Sequence, residues 1–135
     1  MTEQDITILF KRYKRYEAEI AILQDCVDEL HDADTADSQT KYALLKRRIT
    51  LSNHWINYLP QYEAEIVKLH LIEGHSWVYL ANYFSTKQNN GISCDERTLQ
   101  RLQNKALKRI KGFVAEQFSD KLDYLIDSEH DIMAS

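Results

Sequence analysis

The residues best suited to chemistry in this sequence are a run of cations and amides between positions 97 and 111. They recur at the spacing of one helix face, and they are Arg97, Gln100, Arg101, Asn104, Lys105, Lys108 and Lys111. No acidic residue stands between Glu96 and Glu116, although the chain carries a net charge of −4. A concentrated positive face on an acidic protein is typical of a phosphate-binding surface. The pattern predicts a helix that recognises double-stranded DNA.

Position along this helix separates two kinds of DNA contact. The first turns of a recognition helix reach the base edges, where Arg grips guanine and Asn or Gln pairs with adenine. We predict base reading by Arg97, Gln100, Arg101 and Asn104. Later turns lie closer to the DNA backbone, and helix starts present backbone N–H groups to phosphates. The predicted phosphate contacts are Ser76, Ser93, Lys105, Lys108 and Lys111.

Two other interpretations of the cationic run stay open. The run could be the solvated face of a structural helix, since basic residues are common on helix surfaces. The helix could also dock on an acidic protein, which would make the chain a protein-interaction module such as an adaptor or inhibitor. An ordinary surface helix mixes both signs of charge, so the missing acids favour DNA over a solvated face.

The composition predicts an all-α protein. With three Gly and one Pro among 135 residues, helix breakers are scarce. Cys26 and Cys94 match no metal or redox spacing, so we expect free thiols, no metal and no cofactor. No nucleophile motif, phosphate loop or catalytic carboxylate pair indicates an enzyme. No apolar run has transmembrane length and the N-terminus does not resemble a signal peptide, so we expect a cytoplasmic protein that does not contact membranes.

Residues 1–59 are expected to form a coiled-coil-like helical hairpin that spans 3–59. A first helix over 3–31 carries apolar or aromatic residues at alternating spacings of three and four, the a/d heptad pattern. These residues are Ile6, Leu9, Tyr13, Tyr16, Ile20, Leu23, Val27 and Leu30. A second helix over about 39–59 has similar spacing and ends at Pro60. The heptads could pair within one chain or between two chains, and we favour a homodimer.

Residues 60–126 are expected to form a separate domain of shorter helices. A first helix ends at Gly74, because glycine is the preferred residue at a helix C-terminus. Ser76 can begin a second helix that runs through Phe84. A loop over 85–92 follows, since its Asn-Asn-Gly core favours turns.

The cationic helix is expected to start at Ser93, which forms a capping-box pattern with Glu96. We expect this helix to continue to about Ile126. The chain becomes acidic after Gly112 and ends in an acidic tail over 127–135, and this acidic part could mask the basic helix or contact RNA polymerase. Helix, glycine turn, helix, loop and basic helix is the order of a helix-turn-helix unit, whose last helix enters the major groove.

Residues 59–113 resemble region 4 of bacterial sigma factors. The matching segments are Leu59-Pro60, Glu65-Ile66-Val67, Ile72 to Trp77, Leu80-Ala81, Ile92-Ser93, Arg97-Thr98-Leu99 and Lys105-Ala106-Leu107. The chain size and the helical N-terminal part are similar to phage late transcription activators of the RinA and ArpU type. The resemblance implies that Arg97, Thr98, Arg101 and Lys105 form the DNA-reading face. The loop over 85–92 is longer than the turn that is typical of such units.

The cationic face and the resemblance together predict a function. We expect a sequence-specific double-stranded DNA-binding transcription regulator, encoded by a phage or mobile element and acting in the cytoplasm of a bacterial host.

Overall fold

Helices form the regular structure of this chain, and the residues described contain no β-strand. The computed structural model describes residues 1–29, 35–87, 95–117, 122 and 124–126. The helices are α1 (Glu3–Lys11), α2 (Tyr13–Glu29), α3 (Thr35–Tyr58), α4 (Gln61–Val67), a π-helical segment (Lys68–Ile72), α5 (Trp77–Lys87) and α6 (Glu96–Gln117). The prediction of an all-α protein is confirmed for this part of the chain. None of the helices within it has the length and apolar character needed to cross a membrane.

The first predicted helix is in fact two helices. Thr2 and Asp5 form a capping box at the start of α1, in which each side chain accepts a hydrogen bond from the other's backbone N–H. The helix ends at Arg12, whose backbone dihedrals (φ −97°, ψ 8°) leave the helical region, and α2 begins at Tyr13. The break follows from the way the two helices pack in the folded chain. Because α1 packs against α6 and the π-helical segment while α2 packs along α3, one straight helix cannot make both contacts.

Three of the predicted dimer residues lie inside a single chain. Ile6, Leu9 and Tyr16 are completely or almost completely buried in the main core. Ile20 and Leu23 are half-buried against the same core. Ile6, Leu9 and Tyr16 therefore leave no surface for a second copy, and their assignment to a dimer contact was wrong.

The other heptad positions are less informative about pairing. Tyr13 is half-buried, and its hydroxyl donates a hydrogen bond of 2.9 Å to Asn53 Oδ1 on α3. The Val27 side chain and the whole of Leu30 lie outside the described residues. Tyr13 thus serves the packing of α2 on α3 within one chain.

The main core joins the two predicted domains. Phe10 and Trp55 from the N-terminal region meet edge to face, with ring centroids 5.8 Å apart. The same buried cluster contains Leu107 and Ile110 of α6. Pro60 separates α3 from α4 as expected, but no boundary in packing exists there, because side chains on both sides of it share one apolar core.

A second, smaller core sets the position of the cationic helix. It is formed by Ile66 of α4, Leu80 and Phe84 of α5, and Leu99 of α6, all fully buried. Helices α4 and α5 thus pack together on the N-terminal half of α6. The described part of α6 ends at Gln117, and residues 118–121 and 123 of the predicted extension to Ile126 lie outside the described residues. A short helical turn at 124–126 packs back on α3, where Arg48 Nε donates a 2.9 Å hydrogen bond to the Leu125 carbonyl.

Candidate nucleic-acid interface

Helix α6 has one buried face and one charged face. The buried side chains are Leu99, Gln103, Ala106, Leu107, Ile110 and Val114. The exposed side chains include every cation and amide that the sequence predicted to face DNA on this helix: Arg97, Gln100, Arg101, Asn104, Lys105, Lys108 and Lys111. Thr98 is half-buried. The structure therefore brings the predicted contacts of α6 together on one solvent-facing surface, which we call the cationic face.

The start of α6 differs in detail from the prediction. Asp95 Oδ1 accepts a hydrogen bond of 2.7 Å from the Thr98 backbone N–H, so Asp95 makes the cap of the described helix. The predicted cap, Ser93, lies outside the described residues, and its predicted phosphate contact does too. A carboxylate at this position suits the positive end of the helix dipole. It also occupies an N–H group that a phosphate would otherwise need.

One cation of α6 anchors the helix to a neighbouring helix. Arg109 Nε donates a hydrogen bond of 3.2 Å to Glu63 Oε1 on α4, and the Glu63 side chain is only 7% exposed. Further along, the rings of Phe113 and Tyr58 pack with centroids 4.6 Å apart. Sequence reasoning missed Arg109, because within a basic run nothing local distinguishes an anchoring arginine from a free one. Its partner lies 46 residues away.

The turn between α4 and α5 has the predicted glycine and an unpredicted π-helical segment. Gly74 adopts φ +76°, a conformation that favours glycine over residues with a Cβ. The His75 N–H donates to the Leu69 carbonyl at 3.0 Å, which closes the turn. The segment Lys68–Ile72 widens the helix just before the turn. Gly74 therefore ends the first helix of this region as expected.

Ser76 begins α5, as the sequence predicted. Its Oγ accepts a hydrogen bond of 3.1 Å from the Tyr79 backbone N–H, and the residue is exposed. Beyond it, an aromatic column follows the outside of α5: His75 stacks on Tyr79 at 4.0 Å, and Tyr79 on Tyr83 at 6.3 Å. Tyr79 is 45% exposed.

His70 holds the turn that places α5. Its ring stacks on Trp77 with centroids 3.8 Å apart, and its Nδ1–H donates to the His75 carbonyl at 2.9 Å. Burial lowers the pKa of His70 below its ordinary value of 6.5, although the hydrogen bond to the His75 carbonyl acts in the opposite direction. The neutral ring is therefore the form that fits the folded turn.

Lowering the pH should destabilise the protein through His70. The unfolded chain takes up the proton near pH 6.5, whereas the folded chain resists it to lower pH. The free energy of unfolding should therefore fall as the pH drops from above 6.5 through the folded pKa. Urea titrations of wild type and His70→Gln at a series of pH values measure this, and the variant should show a shallower fall.

His54→Gln is the matched control for this pH dependence. His54 is exposed on α3 and lies outside the turn that the His70 ring stabilises. This variant should keep the wild-type pH dependence. An unchanged pH dependence in His70→Gln would contradict the role of His70.

Comparison with protein-family models, with curated proteins and with solved structures finds no match to this chain. The described residues contain no group of three or more His, Cys, Asp or Glu side chains placed to hold a metal ion. A function must therefore be inferred from the chain's own surfaces.

Proposed function

We propose that this protein is a sequence-specific double-stranded DNA-binding transcription regulator. The observation that carries the proposal is the cationic face of α6, which is exposed and free of acids from Arg97 to Lys111. The opposite face of the helix is buried in both apolar cores. A rigid helix with one anchored side and one cationic side is suited to enter the major groove.

The arrangement of the neighbouring helices supports this proposal. Helix α4, the Gly74 turn and α5 precede α6 in the order of a helix-turn-helix unit, and α4, α5 and α6 share one small core. In such a unit the helix before the recognition helix crosses the DNA backbone. Ser76 and Tyr79, both exposed at the start of α5, then supply candidate phosphate contacts.

The side chains of α6 divide into two proposed roles. Arg97, Gln100, Arg101 and Asn104 have the donor and acceptor groups that read guanine and adenine edges, and Thr98 joins them by the sigma-factor resemblance. Lys105, Lys108 and Lys111 lie further along the helix and contact phosphates. The proposed partners are double-stranded DNA, a second copy of the chain and RNA polymerase, in the cytoplasm of a bacterial host of a phage or mobile element.

The test is the salt dependence of binding to duplex DNA. A fluorescent random duplex should bind at low salt, and selection from it should enrich one sequence. If about six cations contact phosphates, affinity should fall about 1000-fold between about 50 and about 200 mM salt, because each contact releases counterions. Fluorescence anisotropy measures this. If the protein bound no duplex at low salt, the result would instead favour a protein-interaction module that docks on acidic proteins.

A further inference from the structure

An open groove runs along the outer side of α3. Two adjoining cavities of about 860 Å³ and 370 Å³ form it, and both are lined by Arg47, Thr50 and Tyr124. Aliphatic side chains, among them Ala43 and Leu44, line the larger cavity. A groove with apolar side chains along a helix surface can hold the apolar face of another helix.

Among the residues that the structure describes, no carboxylate forms an ion pair with Lys46 or Arg47 of this groove. Residues 38–62 contain four Lys and Arg residues and no Asp or Glu. Within the described part of the chain, Lys46 lies over the Tyr42 ring at 5.0 Å, and Arg47 Nη1 donates to the Tyr124 hydroxyl at 2.6 Å. Aromatic groups hold these side chains in place without neutralising their charge. The groove therefore presents positive charge beside an apolar floor.

The outer face of α2 has the complementary character. Residues 16–40 contain eight Asp and Glu residues and no Lys or Arg. On this helix Ile22 is 60% exposed, and Glu17, Ala18, Ala21 and Asp25 around it are exposed too. The small alanines would let another helix approach closely, while Ile22 offers an apolar contact between acids. This acidic outer face of α2 matches the α3 groove in both charge and apolarity.

We propose that two copies of this chain pair by placing the acidic outer face of α2 from one copy in the α3 groove of the other. Within one chain α2 and α3 already meet through their buried sides, so the exposed Ile22 face cannot also fill its own groove. The inference rests on the homodimer part of the proposed function and not on DNA binding by α6. It replaces the buried heptad contact with one made from exposed residues.

Charge and shape favour a second copy over nucleic acid in this groove. Phosphates would gain from Lys46 and Arg47, but they would gain no hydrogen bond from the aliphatic side chains of Ala43 and Leu44 in the same groove. An acidic helix that carries an isoleucine can pair its carboxylates with the groove cations and pack the isoleucine on the aliphatic side chains. Attraction between the two faces should weaken as salt screens the charges.

Charge-swap variants test the pairing by sedimentation equilibrium. The fraction of dimer rises with protein concentration, and we expect wild type to be dimeric at about 50 µM. Lys46→Glu/Arg47→Glu places acids against the acidic α2 face, and Glu17→Lys/Asp25→Lys places lysines against the basic groove. Each variant alone should raise the dimer dissociation constant about tenfold or more, since like charges meet across the contact. Mixed in equal amounts, the two variants should form a heterodimer, because the swapped faces attract again.

Three variants keep the test decisive. Ile22→Asp changes one exposed residue and should also yield monomers, with helical circular dichroism as in wild type. Lys105→Glu/Lys108→Glu reverses two charges on α6, so it should lose DNA binding and keep the wild-type mass. The mass measured by sedimentation therefore tests the dimer even if the protein does not bind DNA. Lys46→Glu/Arg47→Glu tests whether the groove binds DNA. If the groove binds only a second copy, this variant should lower the mass seen in sedimentation and leave the DNA affinity of the monomer unchanged.

Several outcomes would overturn the inference. They are a wild-type monomer throughout the concentration range, a dimer that tolerates both charge-reversed variants and Ile22→Asp, and folded variants that do not pair when mixed. A groove variant that keeps the wild-type mass but loses DNA affinity would show that the groove binds nucleic acid instead.

Discussion

Replacing Arg97 and Arg101 together with alanine should lower the affinity for the selected DNA duplex on the order of 100-fold. Both side chains are exposed near the start of α6, the part of a recognition helix that reaches base edges. Each bidentate contact to a base is worth about 1–3 kcal/mol of discrimination. Neither side chain is part of the buried cores, so the thermal unfolding midpoint should not change. Anisotropy titrations and thermal melts measure the two expectations.

A charge-matched control separates recognition from general electrostatics. Arg15→Ala/Lys41→Ala also removes two exposed cations, on α2 and α3, and should leave DNA affinity nearly unchanged. Lys108→Ala should weaken all duplexes by a similar factor, because a phosphate contact carries no base information. If Arg97→Ala/Arg101→Ala bound the selected duplex like wild type, α6 would not be the recognition helix.

Deleting residues 1–58 should leave a fragment without cooperative unfolding. The sequence placed a domain boundary at this position, which would predict a fragment that folds by itself. The structure instead buries Phe10 and Trp55 in the same core as Leu107 and Ile110 of α6. Truncation of one buried Phe or Trp to Ala lowers the free energy of unfolding by about 3–5 kcal/mol. The whole free energy of unfolding of most small domains is only about 5–15 kcal/mol. Removing both and their neighbours exceeds that margin.

Circular dichroism during heating measures the effect of this deletion. Phe10→Ala in the full chain is a graded comparison and should lower the free energy of unfolding by about 3–5 kcal/mol. Val78→Ala, at an exposed site on α5, should change it little. A fragment of residues 59–135 that melts cooperatively near the wild-type temperature would show that the small core of α4, α5 and α6 suffices.

The sequence determined the features of this protein that depend on local geometry. Helix spacing placed the predicted cations and amides of α6 together on one exposed face, because a period of 3.6 residues assigns each position to a side. Gly74 and Ser76 marked the end and start of two helices, since backbone conformation and capping act within a few residues. The all-α fold followed from the scarcity of breakers.

The tertiary structure decided what each buried face packs against. The heptads of the first helix predict an apolar stripe, but a stripe has the same spacing whether it meets its own chain or a second copy. The break at Arg12 lets α1 pack on α6 and the π-helical segment, which the heptad spacing did not indicate. Likewise Arg109 became an anchor through Glu63, and Lys46 and Arg47 came to border a groove beside Tyr124. These features join residues far apart in the chain, and local spacing carries no information about such distances.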